Sequence, residues 1–143
     1  MEEEVQFRPV ENSDLNFILS SWLKSYRSSP QVRDIPASIY FDCHQIIIKD
    51  ILMHSSKTIV MCDSVNPEVI LGYIVCDKDS TRIHYLYIKH MFRGLGLGLK
   101  LFKQIEVDFP TDKPITVSHY NLAVVSDQWS SYQTLLKTMT SRT

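Results

Sequence analysis

Residues 87–98 read Tyr-Ile-Lys-His-Met-Phe-Arg-Gly-Leu-Gly-Leu-Gly, and this segment constrains the architecture more than any other. A strand-like run at 83–88 leads into it, and a helical pattern from about 97 to 107 follows. Glycines between a strand and a helix let backbone N–H groups converge without side-chain clashes. The start of a helix adds unpaired N–H groups and a partial positive charge. The segment therefore predicts a pocket for an anionic phosphate group.

Two familiar nucleotide-binding motifs are excluded at this segment. The P-loop needs Gly-x-x-x-x-Gly-Lys-Ser/Thr, which is absent. The dinucleotide fingerprint needs Gly-x-Gly-x-x-Gly, whereas here Gly94, Gly96 and Gly98 are each two apart and Leu99 follows. The segment also comes after an antiparallel-looking hairpin, which is the wrong context for a dinucleotide-binding fold.

Outward from the glycines, apolar periodicity predicts an alternation of strands and helices. The predicted order is β-α-α-β-β-β-α-β-α, which makes an α+β (mixed α/β) domain with a central, largely antiparallel sheet flanked by helices. On the second helix the predicted apolar stripe is Tyr40, Cys43, Ile47 and Ile51, joined by Phe41, Ile48 and Leu52. The predicted elements are strands at 5–8, 58–62, 69–76, 83–88 and 115–118, and helices at 15–26, 38–54, 97–107 and 128–139.

The bulk properties limit the class of protein. At 143 residues the chain has the size of one domain, and we expect a single domain over residues 1–143. The formal net charge of -1 argues against a nucleic-acid partner. The longest apolar run, Val69 to Cys76, is far shorter than the roughly 20 residues of a membrane span. The acidic start is unlike a signal peptide. We expect a cytoplasmic protein without membrane contact.

The three cysteines, Cys43, Cys62 and Cys76, have no Cys-x-x-Cys spacing. This pattern argues against a disulfide framework and against a structural zinc site. We expect each cysteine to pack in the core, in a reducing compartment, and we expect no metal cofactor.

The segment Arg93-Gly94-Leu95-Gly96-Leu97-Gly98 resembles the pyrophosphate-binding motif of the GNAT N-acetyltransferase superfamily, Arg/Gln-x-x-Gly-x-Gly/Ala. The predicted element order matches that family over roughly residues 5–118. The resemblance implies acetyl-CoA as cosubstrate, with backbone N–H groups of the loop holding its pyrophosphate. It also implies that the strand at 83–88 lies along the pantetheine and acetyl groups, with the Ile88 N–H polarising the thioester carbonyl. The implied cofactor-binding residues are Leu86, Tyr87, Ile88, Arg93, Gly94, Leu95, Gly96, Leu97 and Gly98.

The chain departs from the family pattern after the fifth strand. An Asn-x-x-Ala-x-x-x-Tyr sequence is usual there, but Asn121 is followed by Ala123 and the nearest downstream tyrosine is Tyr132. Tyr132 is therefore the candidate acid for the leaving thiolate, with packing as the alternative.

His84 is the candidate general base. Strand alternation would put His84, Leu86 and Ile88 on one face, so that His84 points into the cleft that holds the thioester. The ordinary histidine pKa of about 6.5 suits proton acceptance near neutral pH. The alternative is a structural histidine in the sheet or at the surface.

Two functions follow from the resemblance. The first is an acetyl-CoA-dependent N-acetyltransferase that transfers acetyl directly to an amine of a small molecule or protein. The second is a non-catalytic GNAT-fold module that binds acyl-CoA or a protein partner. The stretches 22–26 and 85–89 also resemble small GNAT-like phage and prophage proteins, which would imply a phage protein in the host cytoplasm. No residue pattern identifies the acceptor or the oligomeric state.

Overall fold

The computed structural model describes residues 5–78, 82–106 and 116–117 of the chain. Over these residues the order of elements is the predicted one, and the helix predicted at 128–139 lies outside them. Short 3-10 turns occupy Asn12–Asp14 and His90–Phe92, and a π turn occupies Ile51–Ser55. The strands are β1 (Val5–Pro9), β2 (Ser56–Asp63), β3 (Ile70–Asp77), β4 (Arg82–Ile88) and β5 (Thr116–Val117), and the helices are α1 (Leu15–Tyr26), α2 (Ala37–Asp50) and α3 (Leu97–Glu106).

The five described strands form one sheet in the order β1-β2-β3-β4-β5. The first four strands pair antiparallel. Short connections join β2 to β3 and β3 to β4, as is usual for antiparallel neighbours, whereas α1 and α2 lie between β1 and β2. Strand β5 instead runs parallel to β4, with Arg82 opposite Thr116 and Ile83 opposite Val117. The predicted α+β domain with a largely antiparallel sheet is therefore confirmed.

The two faces of the sheet are packed with different side chains. The face under α3 is mainly aliphatic and includes Ile74, Leu86 and Leu101. The face under α1 and α2 is aromatic, and Trp22 of α1 stacks on Tyr85 of β4 with ring centroids 5.0 Å apart. The Tyr85 hydroxyl lies 2.5 Å from Ser25 Oγ, so its polar end is satisfied inside this layer. These contacts hold α1 against the strand that leads into the glycine segment.

The predicted stripe of α2 is confirmed at Tyr40 and Ile48, which are buried. It is wrong at Cys43 and Ile47, which are exposed, and His44 lies half-buried between Tyr40 and Ile48 instead. Apolar residues occupy neighbouring faces of this helix, so periodicity alone allowed either face to be the inner one. The prediction of a buried cysteine is therefore wrong for Cys43.

Two further predictions concern the remaining cysteines and the helix lengths. Cys62 and Cys76 are buried, as predicted. Helix α2 ends at Asp50, and the residues that had been predicted to extend it form the π turn. None of the helices within the described ranges is long and apolar enough to cross a membrane.

Candidate active site

The glycine segment connects β4 to α3 through an irregular turn. Gly94 has a φ of 85° and Gly96 a φ of 77°, a left-handed conformation that residues with a side chain rarely adopt. The Gly96 carbonyl accepts a hydrogen bond from the Lys100 N–H at 3.3 Å, so the helical bonding of α3 starts there. In such a helix the first N–H groups have no acceptor within the helix. The turn thus presents backbone donors at the positive end of a helix dipole.

The space beside Gly96 is open. A Cβ built at this position would meet no atom of the described residues within 4 Å, and the neighbouring Leu95 is 64% exposed. Within that part of the chain, close packing does not explain glycine at this position. The positive φ does, and it leaves the backbone accessible from this side.

The side chain of Arg93 turns back onto the end of β4. Its Nε donates a hydrogen bond of 2.7 Å to the carbonyl of Ile88, and its guanidinium carbon lies 5.8 Å from the centre of the Tyr87 ring. Arg93 therefore ties the glycine segment to the last residues of β4. The motif indicated that an arginine belongs at this position but did not predict this partner.

The backbone of β4 alternates in direction. The Lys89 N–H bonds to the Leu71 carbonyl at 2.8 Å, and the register places Ile88 opposite Gly72 and Leu86 opposite Ile74. In an antiparallel pair, residues on either side of a hydrogen-bonded pair point their N–H and C=O groups away from the partner strand. Leu86 and Ile88 therefore direct their N–H groups away from β3, toward the edge where β5 begins.

Gly72 on β3 is needed for close packing. A Cβ at this position would lie 2.5 Å from the Tyr87 carbonyl oxygen and 2.9 Å from Cδ1 of Ile88. Only glycine lets β3 and β4 approach this closely, so Gly72 helps to set the position of Ile88. An isolated glycine in an apolar run is the sequence signal for such an approach, and this signal was missed.

A β-bulge interrupts β4 at His84. The register passes from Val75 opposite Tyr85 to Cys76 opposite Ile83, which makes His84 the inserted residue of the bulge. Ile83 consequently packs in the same core cluster as Leu86 and Ile88. The strict alternation used to orient His84 therefore does not hold, because a bulge inserts one residue and re-aims its side chain.

His84 is buried and lies against a carboxylate. Its residue exposure is 6%, and its Nε2 lies 2.6 Å from Oδ1 of Asp77, the last residue of β3. Burial lowers the pKa of His84 below the ordinary value of 6.5, and Asp77 opposes part of that shift. The imidazole is therefore neutral at pH 7 and can accept a proton. The strand predicted at 69–76 stops before Asp77, and no local signal indicated a pairing across the hairpin.

A cavity of about 640 Å³ opens on the α1 side of the sheet, beside Lys89 and Phe17. Its charged wall is a bidentate ion pair, in which Arg8 contacts the two Asp14 carboxylate oxygens at 2.7 and 3.0 Å. Arg8 also donates a hydrogen bond to the Pro67 carbonyl. The hydrogen bonds from Arg8 to Asp14 lower the pKa of that carboxylate. These groups already satisfy one another, so they clamp β1 to the start of α1 rather than offering charge to a ligand.

The remaining predicted site residue, Tyr132, lies outside the described residues. Within the described ranges there is no cluster of three or more histidine, cysteine, aspartate or glutamate residues that could hold a metal ion. The described part of the site thus consists of the backbone donors of the glycine segment, the N–H groups along the edge of β4, and the His84–Asp77 pair.

Solved structures share this fold, and two of the three described next are named as acetyltransferases. A candidate acetyl transferase from Pyrococcus furiosus is 16% identical, with a TM-score of 0.63 over 92% of this chain and 90% of that one. A GCN5-related N-acetyltransferase from Rhodopseudomonas palustris is 17% identical, with a TM-score of 0.59 over 92% and 79%. The apo form of YjaB from Escherichia coli is 15% identical, with a TM-score of 0.58 over 93% and 79%. At these identities the likeness shows the fold alone.

Sequence comparison addresses the family directly. A search among curated proteins found no match. The family model described as an acetyltransferase (GNAT) domain matches residues 44–126, which is more than half of the chain and runs through the glycine segment. On this match, the chain belongs to the GNAT acetyltransferase family.

Proposed function

We propose that this protein is an acetyl-CoA-dependent N-acetyltransferase that transfers the acetyl group directly to an amine. The observation that carries the proposal is a single continuous backbone path. The N–H groups of Leu86 and Ile88 point away from β3, and within the described residues β5 pairs only with the start of β4, at Arg82 and Ile83. The same strand runs directly into a glycine turn that presents the start of α3. We further propose that residues 1–143 act as one domain, with acetyl-CoA as cosubstrate and no metal.

The turn from Arg93 to Gly98 would hold the pyrophosphate. Backbone donors and the dipole of α3 favour negative charge there, and the open space beside Gly96 leaves room for a phosphate to reach the backbone. Leu95 and Leu97 would contribute through their N–H groups rather than through their side chains. Tyr87 would act indirectly, because its ring supports the Arg93 guanidinium.

The edge of β4 would hold the acyl end of the cosubstrate. Acetyl-CoA supplies the thioester, and a backbone N–H of Leu86 or Ile88 would donate to its carbonyl oxygen and stabilise the negative charge that develops there. A strand rises roughly 3.3 Å per residue, which puts Leu86 about 7 Å and Ile88 about 13 Å along the strand from His84. With His84 as base, we therefore assign the carbonyl to the Leu86 N–H and the pantetheine to Ile88.

His84 would accept the proton that the attacking amine loses. The amine nitrogen forms a bond to the carbonyl carbon, the carbon–sulfur bond breaks, and the thiolate of CoA leaves. Burial keeps His84 neutral, and Asp77 fixes its ring and stabilises the imidazolium that forms. A base must reach the amine directly or through one water. If the Leu86 N–H binds the thioester carbonyl, His84 is near enough to reach the amine through one water. Tyr132 remains the proposed acid for the thiolate.

The second candidate is a non-catalytic module that binds acyl-CoA or a protein. One observation favours it: His84 lies at 6% exposure and within 2.6 Å of a carboxylate, which is also how a purely structural histidine is held. We keep the reduced, cytoplasmic setting as a proposal, on the grounds that Cys43, Cys62 and Cys76 form no disulfide with one another. Phage origin stays a prediction from sequence.

Two measurements separate the candidates. Acetyl-CoA at 100 times its dissociation constant should stabilise the folded chain by roughly 2.7 kcal/mol. Thermal unfolding followed with acetyl-CoA and with CoA measures that gain. An unchanged melting temperature would contradict the acetyltransferase and the acyl-CoA-binding module, and would leave only a module that binds a protein. Release of free thiol from acetyl-CoA in the presence of a panel of amines then tests catalysis. Binding without thiol release for any amine would support the non-catalytic module.

A further inference from the structure

Helix α2 is apolar on two sides, and only one of them serves the core of this chain. Tyr40 and Ile48 face inward at 2% and 0% exposure. On the outer side, Ile39 and Ile46 are 53% and 66% exposed, and Met53 in the following π turn is 63% exposed. More than half of the surface of each of these three residues is left exposed. Contiguous exposed apolar surface is typical of an interaction site.

The spacing on the outer side is that of a helix-pairing seam. The residues on the outer side follow one another at intervals of four, three, four and three. The first four lie on α2, where this spacing keeps them in line along one side, and Met53 follows in the π turn. Four of the five positions are apolar, and the fifth, Asp50, lies 2.9 Å from the His54 ring nitrogen near the end of the row. We call this row the α2 seam, and it consists of Ile39, Cys43, Ile46, Asp50 and Met53.

We propose that the α2 seam binds the α2 seam of a second copy of this chain, antiparallel and around a two-fold axis. The charges beside the seam carry the choice of partner. Asp42 and Lys49 are both exposed, lie on the same side of the seam and are seven residues apart. In an antiparallel helix pair such equivalent flanking positions face each other, so Asp42 of each copy meets Lys49 of the other. Each copy thereby contributes one acid and one base, and the two copies form two equivalent ion pairs. A two-fold interface requires a surface that is complementary to itself in this way.

A parallel arrangement lacks this complementarity. In a parallel pair, a residue beside the seam lies next to the residue five positions later in the partner helix. Asp42 would therefore meet Ile47 of the second copy, and Lys49 would meet His54. The antiparallel register that pairs Asp42 with Lys49 also puts Cys43 against Ile46, twice, at the centre. Asp50 then falls opposite Ile39 at the rim, where its carboxylate stays in water.

The interface is small, and its size sets the expected affinity. Helix α2 has 14 residues and is about 21 Å long. Stable assemblies bury about 800 Å² per partner, and one helix pair of this length supplies only part of that. We therefore expect a dimer that dissociates in the micromolar range.

Charge variants test the pairing specifically. Sedimentation over about 1 μM to 1 mM should show the wild-type chain passing from monomer to dimer. Asp42→Lys and Lys49→Asp should each weaken the dimer by roughly tenfold, because two attractive contacts become repulsive. An equimolar mixture of the two variants should recover much of the wild-type affinity as a heterodimer. In that heterodimer one chain carries a lysine at both positions and the other an aspartate at both, so each facing pair is again of opposite charge. Recovery in the mixture requires the reciprocal antiparallel register.

Cross-linking provides a second readout. Of the three cysteines only Cys43 is exposed, and in the proposed register the two copies of Cys43 lie on adjacent layers. A short bifunctional maleimide should link wild-type chains into a covalent dimer, and Ile46→Asp should abolish the link while the melting temperature is unchanged. Val65→Asp, at an apolar residue that is 86% exposed and away from the seam, should leave cross-linking intact.

Three outcomes would overturn the proposal. The first is a wild-type chain that stays monomeric throughout the concentration range. The second is a dimer for which the mixture of charge variants shows no recovery. The third is a monomer in which maleimide labels Cys43 slowly and Ile46→Asp lowers the melting temperature. Both results together would mean that residues of the same chain cover the α2 seam.

Discussion

The two ends of β4 serve the proposed reaction in different ways. At the Ile88 end the backbone carries the function: a glycine turn with φ values of 85° and 77° opens toward the surface and presents N–H groups. At the His84 end a side chain carries it: a buried imidazole displaced by a bulge and held at 2.6 Å by Asp77. One strand thus joins an exposed backbone site to a buried side-chain site.

The difference shows which kind of site a sequence reveals. Backbone sites need glycines at set spacings, so they leave a mark in the local sequence. A side-chain site depends on where the side chain points, and one inserted residue in a strand reverses that direction. The predictions below test each end of β4 in turn.

His84→Ala should produce the largest change, a fall in turnover of about 10²–10⁴-fold, which is the usual contribution of a general base. Acetyl-CoA affinity should stay near the wild-type value, because the variant leaves the glycine turn untouched. The acid limb of the rate profile, expected below pH 6.5 because burial lowers the pKa of His84, should disappear. His54→Ala, at an exposed histidine, is the matched control. If His84→Ala kept full activity and the wild-type acid limb, His84 would have a structural role and would not be the base.

Gly96→Val should weaken acetyl-CoA binding by roughly a hundredfold or more, because its side chain would fill the space that the pyrophosphate needs. The positive φ of Gly96 adds a stability cost of roughly 1–2 kcal/mol. Gly96→Asn separates the two effects, since asparagine tolerates this conformation but still fills the space. Calorimetric titration should show binding lost in both variants. Wild-type affinity in Gly96→Asn would contradict the assignment of the glycine turn.

Asp77→Asn should reduce turnover by roughly tenfold, less than the loss of the base itself. Asp77 raises the pKa of His84 against the larger effect of burial. Its neutralisation should therefore move the acid limb to lower pH while the KM for acetyl-CoA is unchanged. A pH–rate profile measures that displacement. A uniform loss of activity at every pH, with the limb in its wild-type position, would mean that Asp77 acts only in folding.

The pH dependence of stability should show the smallest effect. Because burial lowers the pKa of His84, the unfolded chain binds more protons than the folded chain between the folded pKa and 6.5. Stability contributed by neutral His84 is therefore complete above pH 6.5 and is lost as pH falls through that window, by at most about 1.4 kcal/mol per pH unit.

His44 is half-buried and its pKa shifts in the same direction, so the measured quantity is the difference between wild type and His84→Asn. Urea unfolding from pH 7.5 to 5 should give a steeper loss for the wild-type chain. Equal slopes would show that His84 titrates normally.

Helix α2 and strand β4 show where sequence analysis stopped. The periodicity of α2 correctly predicted a helix and its buried Tyr40 and Ile48, but it also put the exposed Cys43 and Ile47 in the core, because both sides of the helix are apolar. The alternation of β4 correctly predicted a strand but did not predict the bulge at His84, because nothing in the local residue pattern indicates an inserted residue. In both cases the type of element was predicted and a detail of its packing was not.

Local sequence was sufficient for the element order, the antiparallel character of the first strands, the glycine turn and membership of the GNAT family. These features depend on short-range rules: apolar periodicity, turn chemistry and the conformational freedom of glycine. The assembled fold alone established the bulge at His84, its pairing with Asp77, the return of Arg93 onto Ile88 and the outward face of α2. Those features depend on contacts between residues that are distant in sequence or on a choice between nearly equivalent faces, and packing makes that choice only when all the elements come together.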